Sequence, residues 1–429
     1  MIDLSDLGLE PETSAATQAA DATVVSNDRD PKGLVPGSVK ARMLYSAFSR
    51  QPVIVVDSPP GAGKTTLIVE VIETLLRRSD FTIVIATPTK RGGADLAERL
   101  VAEIGTEKDK PAVVLSIKGI DRPEGTYADK PTTRDRHVVI RTVSSCTYSA
   151  PNCDVMVFDE AYQSTYADVM AAADAADQVI MVGDPGQIGP VVTQDTSAWQ
   201  AMKSAPHTRA PEVFAARDDA LTLQLGATYR LGQATVDAIA PLYGFPFDSA
   251  RPDRHLTRRD GTVLPELDSV QIEPAASIGD LGTLRTIADL AVSMVGTNVN
   301  YTDADGNAVS ERVTERDVAV VVSRSAQASG IQAILRSLAY EGITVGTADK
   351  MQGGQWHAVV AVDPLVGQST VGPHQVNKGR LCVMASRHQT HMTWVHDGQS
   401  IDKLQAAADE HPEAKVGIAV RRHLLASQA

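Results

Sequence analysis

Residues 58–66 read Ser-Pro-Pro-Gly-Ala-Gly-Lys-Thr-Thr, directly after the apolar run Pro52-Val-Ile-Val-Val-Asp57 and directly before a helical pattern carrying Leu67, Val71 and Leu75. A strand, a glycine-bearing turn and a helix in that order make a phosphate-binding loop. The strand delivers the loop, the turn aims backbone N–H groups inward, and the helix presents its positive N-terminal end. Pro59, Pro60, Gly61, Ala62, Gly63, Lys64, Thr65 and Thr66 are therefore the expected nucleotide contacts. Gly61 and Gly63 supply permissive backbone, Lys64 a point charge for the β- and γ-phosphates, and Thr65 a hydroxyl for Mg²⁺. The usual pattern has a glycine where Ser58 stands; here Pro59 and Pro60 stiffen that end of the loop.

Outward from this loop, short β-rich runs at 53–56, 81–86, 137–141, 155–158, 179–182 and 221–225 alternate with helical patterns. A second series follows, with strands at 317–323, 343–345, 357–363 and 391–396 and a helix through Ile331, Ile334, Leu335 and Leu338. Strands separated by helices imply parallel sheets covered on both faces, so the fold class is α/β, and two such series imply two domains with a cleft between them. The division expected is a mobile tail over 1–36, a first domain over 37–226 with a small insertion near 106–136, and a second domain over 227–429. The stretch 248–311 reads as polar and irregular, with 251–260 and 301–307 as surface loops.

The chain has 429 residues, 43% hydrophobic and 22% charged, a composition suited to a globular protein of two or three domains. No apolar stretch reaches bilayer-spanning length, and the start, Met-Ile-Asp-Leu-Ser-Asp, lacks a basic secretion signal. Cys146, Cys153 and Cys382 have neither paired nor metal-ligand spacing. A cytoplasmic location, the host cytoplasm for a viral chain, follows as the expectation, with no membrane partner. The formal charge of −13 argues against a broad basic coat for nucleic acid, yet is compatible with a narrow groove gripping a few phosphates.

Chemistry enters with Cys153-Asp-Val-Met-Val-Phe-Asp-Glu-Ala-Tyr-Gln163, an apolar strand ending in two carboxylates. A P-loop ATPase needs one acid to hold Mg²⁺ through water and a neighbour to orient and deprotonate the attacking water. Asp159 suits the first task and Glu160 the second, although Asp-Glu at a strand end also serves as a helix N-cap. Val182-Gly-Asp-Pro-Gly-Gln-Ile-Gly-Pro190 closes another apolar strand and places Gln187 as a γ-phosphate sensor.

Taken in order, these motifs resemble superfamily 1 helicases, in particular the branch typified by the helicase of nonsense-mediated mRNA decay. The resemblance spans roughly 50–397 and includes Thr87-Pro-Thr-Lys-Arg-Gly-Gly-Ala-Asp-Leu-Ala, Arg141-Thr-Val-Ser-Ser145 and Leu223-Gln-Leu-Gly-Ala-Thr-Tyr-Arg230. It continues in Thr347-Ala-Asp-Lys-Met-Gln-Gly-Gly-Gln355 and Asn377-Lys-Gly-Arg-Leu-Cys-Val-Met-Ala-Ser-Arg387. The resemblance implies two RecA-like P-loop domains with the nucleotide cleft between them, and Arg230 and Arg387 reaching the γ-phosphate from the second. It implies strand contacts by Pro88, Thr89, Lys90, Ser144, Thr347, Lys350 and Gln352, with Gln352 and Gly353 also coupling the strand to the cleft. Gln355 stands where the family has a ribose-contacting glutamate, and the adenine-reading glutamine has no counterpart in Gly37-Ser-Val-Lys-Ala-Arg-Met43.

The implied function is an ATP- and Mg²⁺-dependent translocase or helicase on single-stranded DNA or RNA, moving 5′ to 3′ and acting as a monomer, its loading partner unspecified. The alternative is a nucleic-acid-stimulated ATPase that remodels protein–nucleic acid complexes without unwinding. Tyr148, Tyr162, Trp199 and Trp356 are read as core or boundary residues ahead of base-stacking platforms, and His388, His391 and His396 as structural.

Overall fold

The computed structural model describes residues 34–426 except 133–135, 150, 200 and 304. Residues 1–33 of the expected tail lie outside the described residues.

The first unit is built from β1 (Val53–Asp57), β2 (Ile83–Thr87), β3 (Ala112–Leu115), β4 (His137–Thr142), β5 (Cys153–Asp159), β6 (Ala176–Gly183) and β7 (Ala220–Gln224). They form a parallel seven-stranded sheet in the order β3-β4-β2-β5-β6-β1-β7. Its central strands are near-continuous apolar runs because helices cover both faces. The helix Lys64–Arg78 shows how: Leu67, Ile68, Val71, Ile72, Leu75 and Leu76 form its buried stripe, while Arg77 and Arg78 sit at its negative C-terminal end. The span read as an insertion near 106–136 supplies the edge strand β3.

Chain order and spatial order differ, and that difference creates the site. β1 lies between β6 and β7, so Asp57 registers with Gly183, and Asp159 with Val182. The C-terminal tips of β1, β5 and β6 therefore open side by side, the usual ligand position in a parallel sheet.

After a short pairing of β8 (Ala227–Thr228) with β9 (Asp248–Ser249), the chain forms β10 (Arg254–Thr257), β11 (Val263–Leu264), β12 (Leu267–Gln271), β13 (Asn298–Thr302) and β14 (Ala308–Arg312). Then follow β15 (Val318–Val322), β16 (Thr344–Thr347), β17 (Trp356–Val362) and β18 (His388–His396). A second parallel sheet runs β12-β18-β17-β15-β16. The fold is thus α/β with two RecA-like parallel sheets.

One expectation needs correction. The stretch 248–311 is ordered: β11-β10-β13-β14 make an antiparallel sheet, β12 joins the second parallel sheet, and Leu281–Met294 is a helix. The reading failed because the short strands bury few residues. β10 buries only Leu256 and β13 only Val299, while β14 is largely exposed at the sheet edge. The expected surface loop at 301–307 is the turn of the β13–β14 hairpin, where Asp303 Oδ1 accepts hydrogen bonds from the backbone N–H groups of Asp305 and Asn307.

A buried ion pair fixes the C-terminal helix, Ala414–Ala426, to the end of β17. Arg421 Nε and Nη2 donate to Asp363 at 2.7 and 3.0 Å, and each side chain is 1% exposed. Removing one partner strands a buried charge. Arg421→Met is expected to lower the unfolding free energy in a urea titration by about 3–5 kcal/mol, and Arg421→Met with Asp363→Leu to recover much of it.

Candidate nucleotide and nucleic-acid site

The loop after β1 is held at both ends. Ser58, which replaces the expected glycine, is fully buried, and its N–H and Oγ both donate to the Gly183 carbonyl, at 3.0 and 3.2 Å. The departure thus has a structural use: it ties the loop to the tip of β6. Gly61 and Gly63 have φ of 74° and 85°, a region that side chains disfavour. A Cβ on Gly61 would lie 2.4 Å from Arg230 Cβ, so this glycine also makes room for the approach of the second unit.

Lys64 is buried at the first position of its helix, with Nζ 3.6 Å from Glu160 Oε1. Asp159, at the β5 tip, is buried and accepts from the Glu160 N–H at 2.9 Å. Burial, then the neighbouring Glu160 charge, push its carboxyl upward, and Lys64 opposes them. Glu160 has φ of 49°, a strained value for a glutamate. Thr65 and Asp159 offer hard oxygen donors of the kind Mg²⁺ prefers. This donor set fits the ion, with Thr65 and Asp159 the residues that would hold it. Among the described residues there is no cluster of three or more His, Cys, Asp or Glu side chains suited to a metal on their own.

Arg230 and Arg387 come to the same place from the other side of the cleft. The Nε of each is buried without a hydrogen-bond partner, and among the described residues neither forms an ion pair. Arg387 is 1% exposed, its Nη atoms reaching only Gly354 O and Ser386 Oγ. Burial, and then the Arg387 charge, bring Arg230 down to about 9; burial likewise lowers Arg387, with Asp184 and Glu160 among the groups acting against it. Two unpaired, mutually repelling guanidinium groups beside a phosphate-binding loop fit an anionic ligand. Hydrogen bonds to the loop carbonyls hold the Arg230 segment there: Thr228 Oγ1 donates to Pro60 O at 2.6 Å, and Tyr229 N–H to Gly61 O at 3.0 Å.

Gln187 is buried, and its Nε2 donates to Asp184 at 2.7 Å while its Oε1 accepts from Gln352 Nε2 at 3.3 Å. The two glutamines therefore touch across the cleft. Gln355 is exposed. The remaining residues assigned to the strand divide. Ser144 and Lys350 are exposed, Pro88 is half-buried, and Thr347 is buried with a hydroxyl that does not cap the helix it precedes. Thr89 Oγ1 instead caps the helix Lys90–Ile104 by accepting from Gly92 N–H, and Lys90 Nζ donates to Lys118 O at 2.9 Å.

Several residues of this site had no assigned role in the sequence. Asp184 is 1% exposed and accepts from Gly186 N–H, Gln187 and Tyr243, the last at 2.9 Å. Tyr243 OH also lies 3.2 Å from Cys382 Sγ, whose thiol is pushed up to about 12 chiefly by burial. Asp57 accepts from Tyr162 OH at 2.7 Å and is raised to about 6, mainly by burial. Asp184 stood in plain view inside the quoted Gly183-to-Pro190 loop; Tyr243 belongs to no motif.

The family model of an AAA domain matches residues 40–220. Among curated proteins, the chain is similar to RNA helicase Mov10l1 of Mus musculus, 22% identical over 393 residues and covering 82% of this chain and 33% of that protein. The chain thus spans about a third of the length of the curated relative it matches. Similar solved structures include a PRRSV helicase, with 18% identity and a TM-score of 0.43 over 85% of this chain and 56% of that one. An arterivirus nonstructural protein 10 helicase in complex with DNA has 16% identity and a TM-score of 0.45 over 82% and 63%. Fold and site define a P-loop nucleotide-binding protein with paired RecA-like sheets. Within that class the AAA-domain match and the likeness to an RNA helicase support the resemblance to superfamily 1 helicases. No described helix is long and apolar enough to cross a membrane.

Backbone also packs closely across the cleft at Gly379, where a Cβ would lie 2.7 Å from both Gln187 O and Ile188 Cα. Backbone cannot swing aside as a side chain can. Gly379→Ala is expected to lower stability by about 1–3 kcal/mol, measured by urea unfolding, through overpacking of this contact.

Proposed function

We propose that the chain is an ATP-dependent translocase on single-stranded nucleic acid, with hydrolysis in the cleft coupled to closure of the two units. The observation that carries this reading is the packing of Arg230 against Gly61, in the loop that carries Lys64, with the Arg387 charge acting on Arg230 and the Nε atoms of both buried and unpaired. The similarity to an RNA helicase supports the substrate class.

In this reading the loop amides and Lys64 hold the β- and γ-phosphates, and Thr65 and Asp159 hold the cation. Mg²⁺ supplies charge neutralisation for the phosphate oxygens when bound. Glu160 orients the attacking water and takes its proton, and Gln187 aligns that water. Arg230 and Arg387 stabilise charge developing on the transferred phosphoryl group, a task suited to a permanent charge on a planar fork. Gln352, placed between the strand-facing residues and Gln187, reports strand occupancy to the cleft. Thr347 and Lys350, on the second unit, and Pro88, Thr89, Lys90 and Ser144, on the first, line the strand path.

The direct test is ATP turnover with and without single-stranded RNA and DNA oligonucleotides. Stimulation by either supports the reading, and absence of hydrolysis under all three conditions overturns it. Release of strand from a tailed duplex then separates unwinding from remodelling without unwinding.

Glu160→Gln keeps shape and loop contacts but removes the base. Nucleotide binding is expected to persist while hydrolysis falls by about a hundredfold or more. Arg387→Ala is expected to spare ATP and strand binding but depress stimulated turnover by about a thousandfold. Arg387→Lys should restore little of it, since an ammonium cannot reproduce the fork. Near-normal turnover in Arg387→Ala would remove the closure mechanism.

A further inference from the structure

Glu266 lies just before β12, outside the phosphate-binding loop, and no step above uses it. Its carboxylate nevertheless stands at a junction of the segments that bear the two arginines. Oε1 accepts from Gly232 N–H at 2.6 Å and from Thr235 Oγ1 at 2.5 Å. Gly232 is two residues beyond Arg230, and Thr235 is in the helix Gln233–Ile239 that follows it. On the other side, His388 directly follows Arg387; its Nε2 lies 2.9 Å from Thr235 Oγ1 and 3.6 Å from Glu266 Oε1. Arg251 Nη1 lies 3.9 Å from the same carboxylate oxygen and donates to Gln389 O at 2.9 Å.

The proton count fixes the direction of this chain. Thr235 has one hydroxyl proton and gives it to the carboxylate, so it accepts from His388, whose proton must then be on Nε2. His388 Nδ1 is left as a bare acceptor, in keeping with its lack of a partner. Burial lowers the basicity of His388, against the pull of Glu266. Glu266, with burial acting upward and outweighed by these neighbours and Arg251, is held at about 2. There is no room to rebuild the contact with a bulkier neighbour: a Cβ on Gly232 would lie 2.2 Å from Glu266 Oε2.

We propose that Glu266 is a positioning residue that locks the Arg230 segment to the Arg387 segment through Gly232, Thr235 and His388, so that both guanidinium groups meet the phosphate as one unit. This rests on the nucleotide-hydrolysis reading above. Among the described residues neither arginine is paired with a carboxylate, and loss of the frame leaves each free to withdraw from the other's charge.

The test is steady-state ATP hydrolysis by the full chain with single-stranded oligonucleotide, comparing wild type, Glu266→Gln, Glu266→Ala, Arg387→Lys and each Glu266 variant combined with Arg387→Lys. Glu266→Ala is expected to lower kcat by about a hundredfold, the scale of a misplacement of about 1 Å, while KM for ATP stays within about twofold. Glu266→Gln, which keeps an acceptor oxygen, should fall between this variant and wild type. In the Arg387→Lys background, where one arm of the frame has lost its fork, either Glu266 change should have a much smaller effect. That shortfall from additivity marks residues acting as a unit. Multiplicative effects, a rise in KM with unchanged kcat, or wild-type kcat in both Glu266 variants would each overturn the positioning role while leaving the hydrolysis reading intact. A wild-type chain that hydrolyses no ATP would overturn both.

Discussion

The cleft is organised around one buried carboxylate, Asp184 at the tip of β6. A carboxylate taken out of water must be surrounded by donors, and the chain supplies them from both units: Gly186 and Gln187 from its own loop, and Tyr243 from beyond it. Burial still raises its carboxyl above the ordinary range, against the pull of Lys64 and these donors. Much follows from meeting that requirement. Gln187 is turned so that its amide oxygen faces Gln352, and Tyr243 is drawn inward to pack edge-on against Phe245 and Phe247. Arg209 braces the same loop from outside through Pro185 O and Gln187 O.

Apolar packing then makes this polar junction rigid. Ile188, one residue past Gln187, is buried with Leu381, Val383 and Met384 in the core of the second unit. Gly379 lets the helix Lys378–Ala385 approach that backbone without a side chain between them. The segment carrying Arg230 is meanwhile hydrogen-bonded to the phosphate-binding loop itself through Pro60 and Gly61.

The parallel sheets were legible in the sequence because strands buried on both faces are written as uninterrupted Val and Ile runs, as in Val318–Val322. The Lys64 loop and the Asp159–Glu160 pair were legible for a related reason: each terminates such a run, and a parallel sheet delivers its functional residues at strand ends. The segment around β10 to β14 was not, since strands that bury one residue in four or five leave no period to read. Its helix was more accessible, with Leu284, Ile287, Ala288 and Ala291 at helical spacing. Tyr243 and Glu266 were illegible on other grounds. Their importance lies in what the fold brings beside them, Cys382 and His388 more than a hundred residues away in the chain. Thr89 and Lys90, given a strand role by motif position, also make local bonds that the motif does not announce, a helix cap and a hydrogen bond to a loop carbonyl.

The β13–β14 hairpin has an implication of a different kind. β14 ends its sheet, so one row of its backbone N–H and C=O groups has no neighbouring strand, and such a row is a template onto which another molecule can add. Its sequence, Ala-Val-Ser-Glu-Arg, carries two opposite charges side by side and only one bulky apolar residue. Joining two such edges would bring these charges out of water against their counterparts in a second copy. Charged side chains at an exposed edge oppose such strand addition, and neutral β-branched residues at 311 and 312 would weaken that opposition away from the cleft.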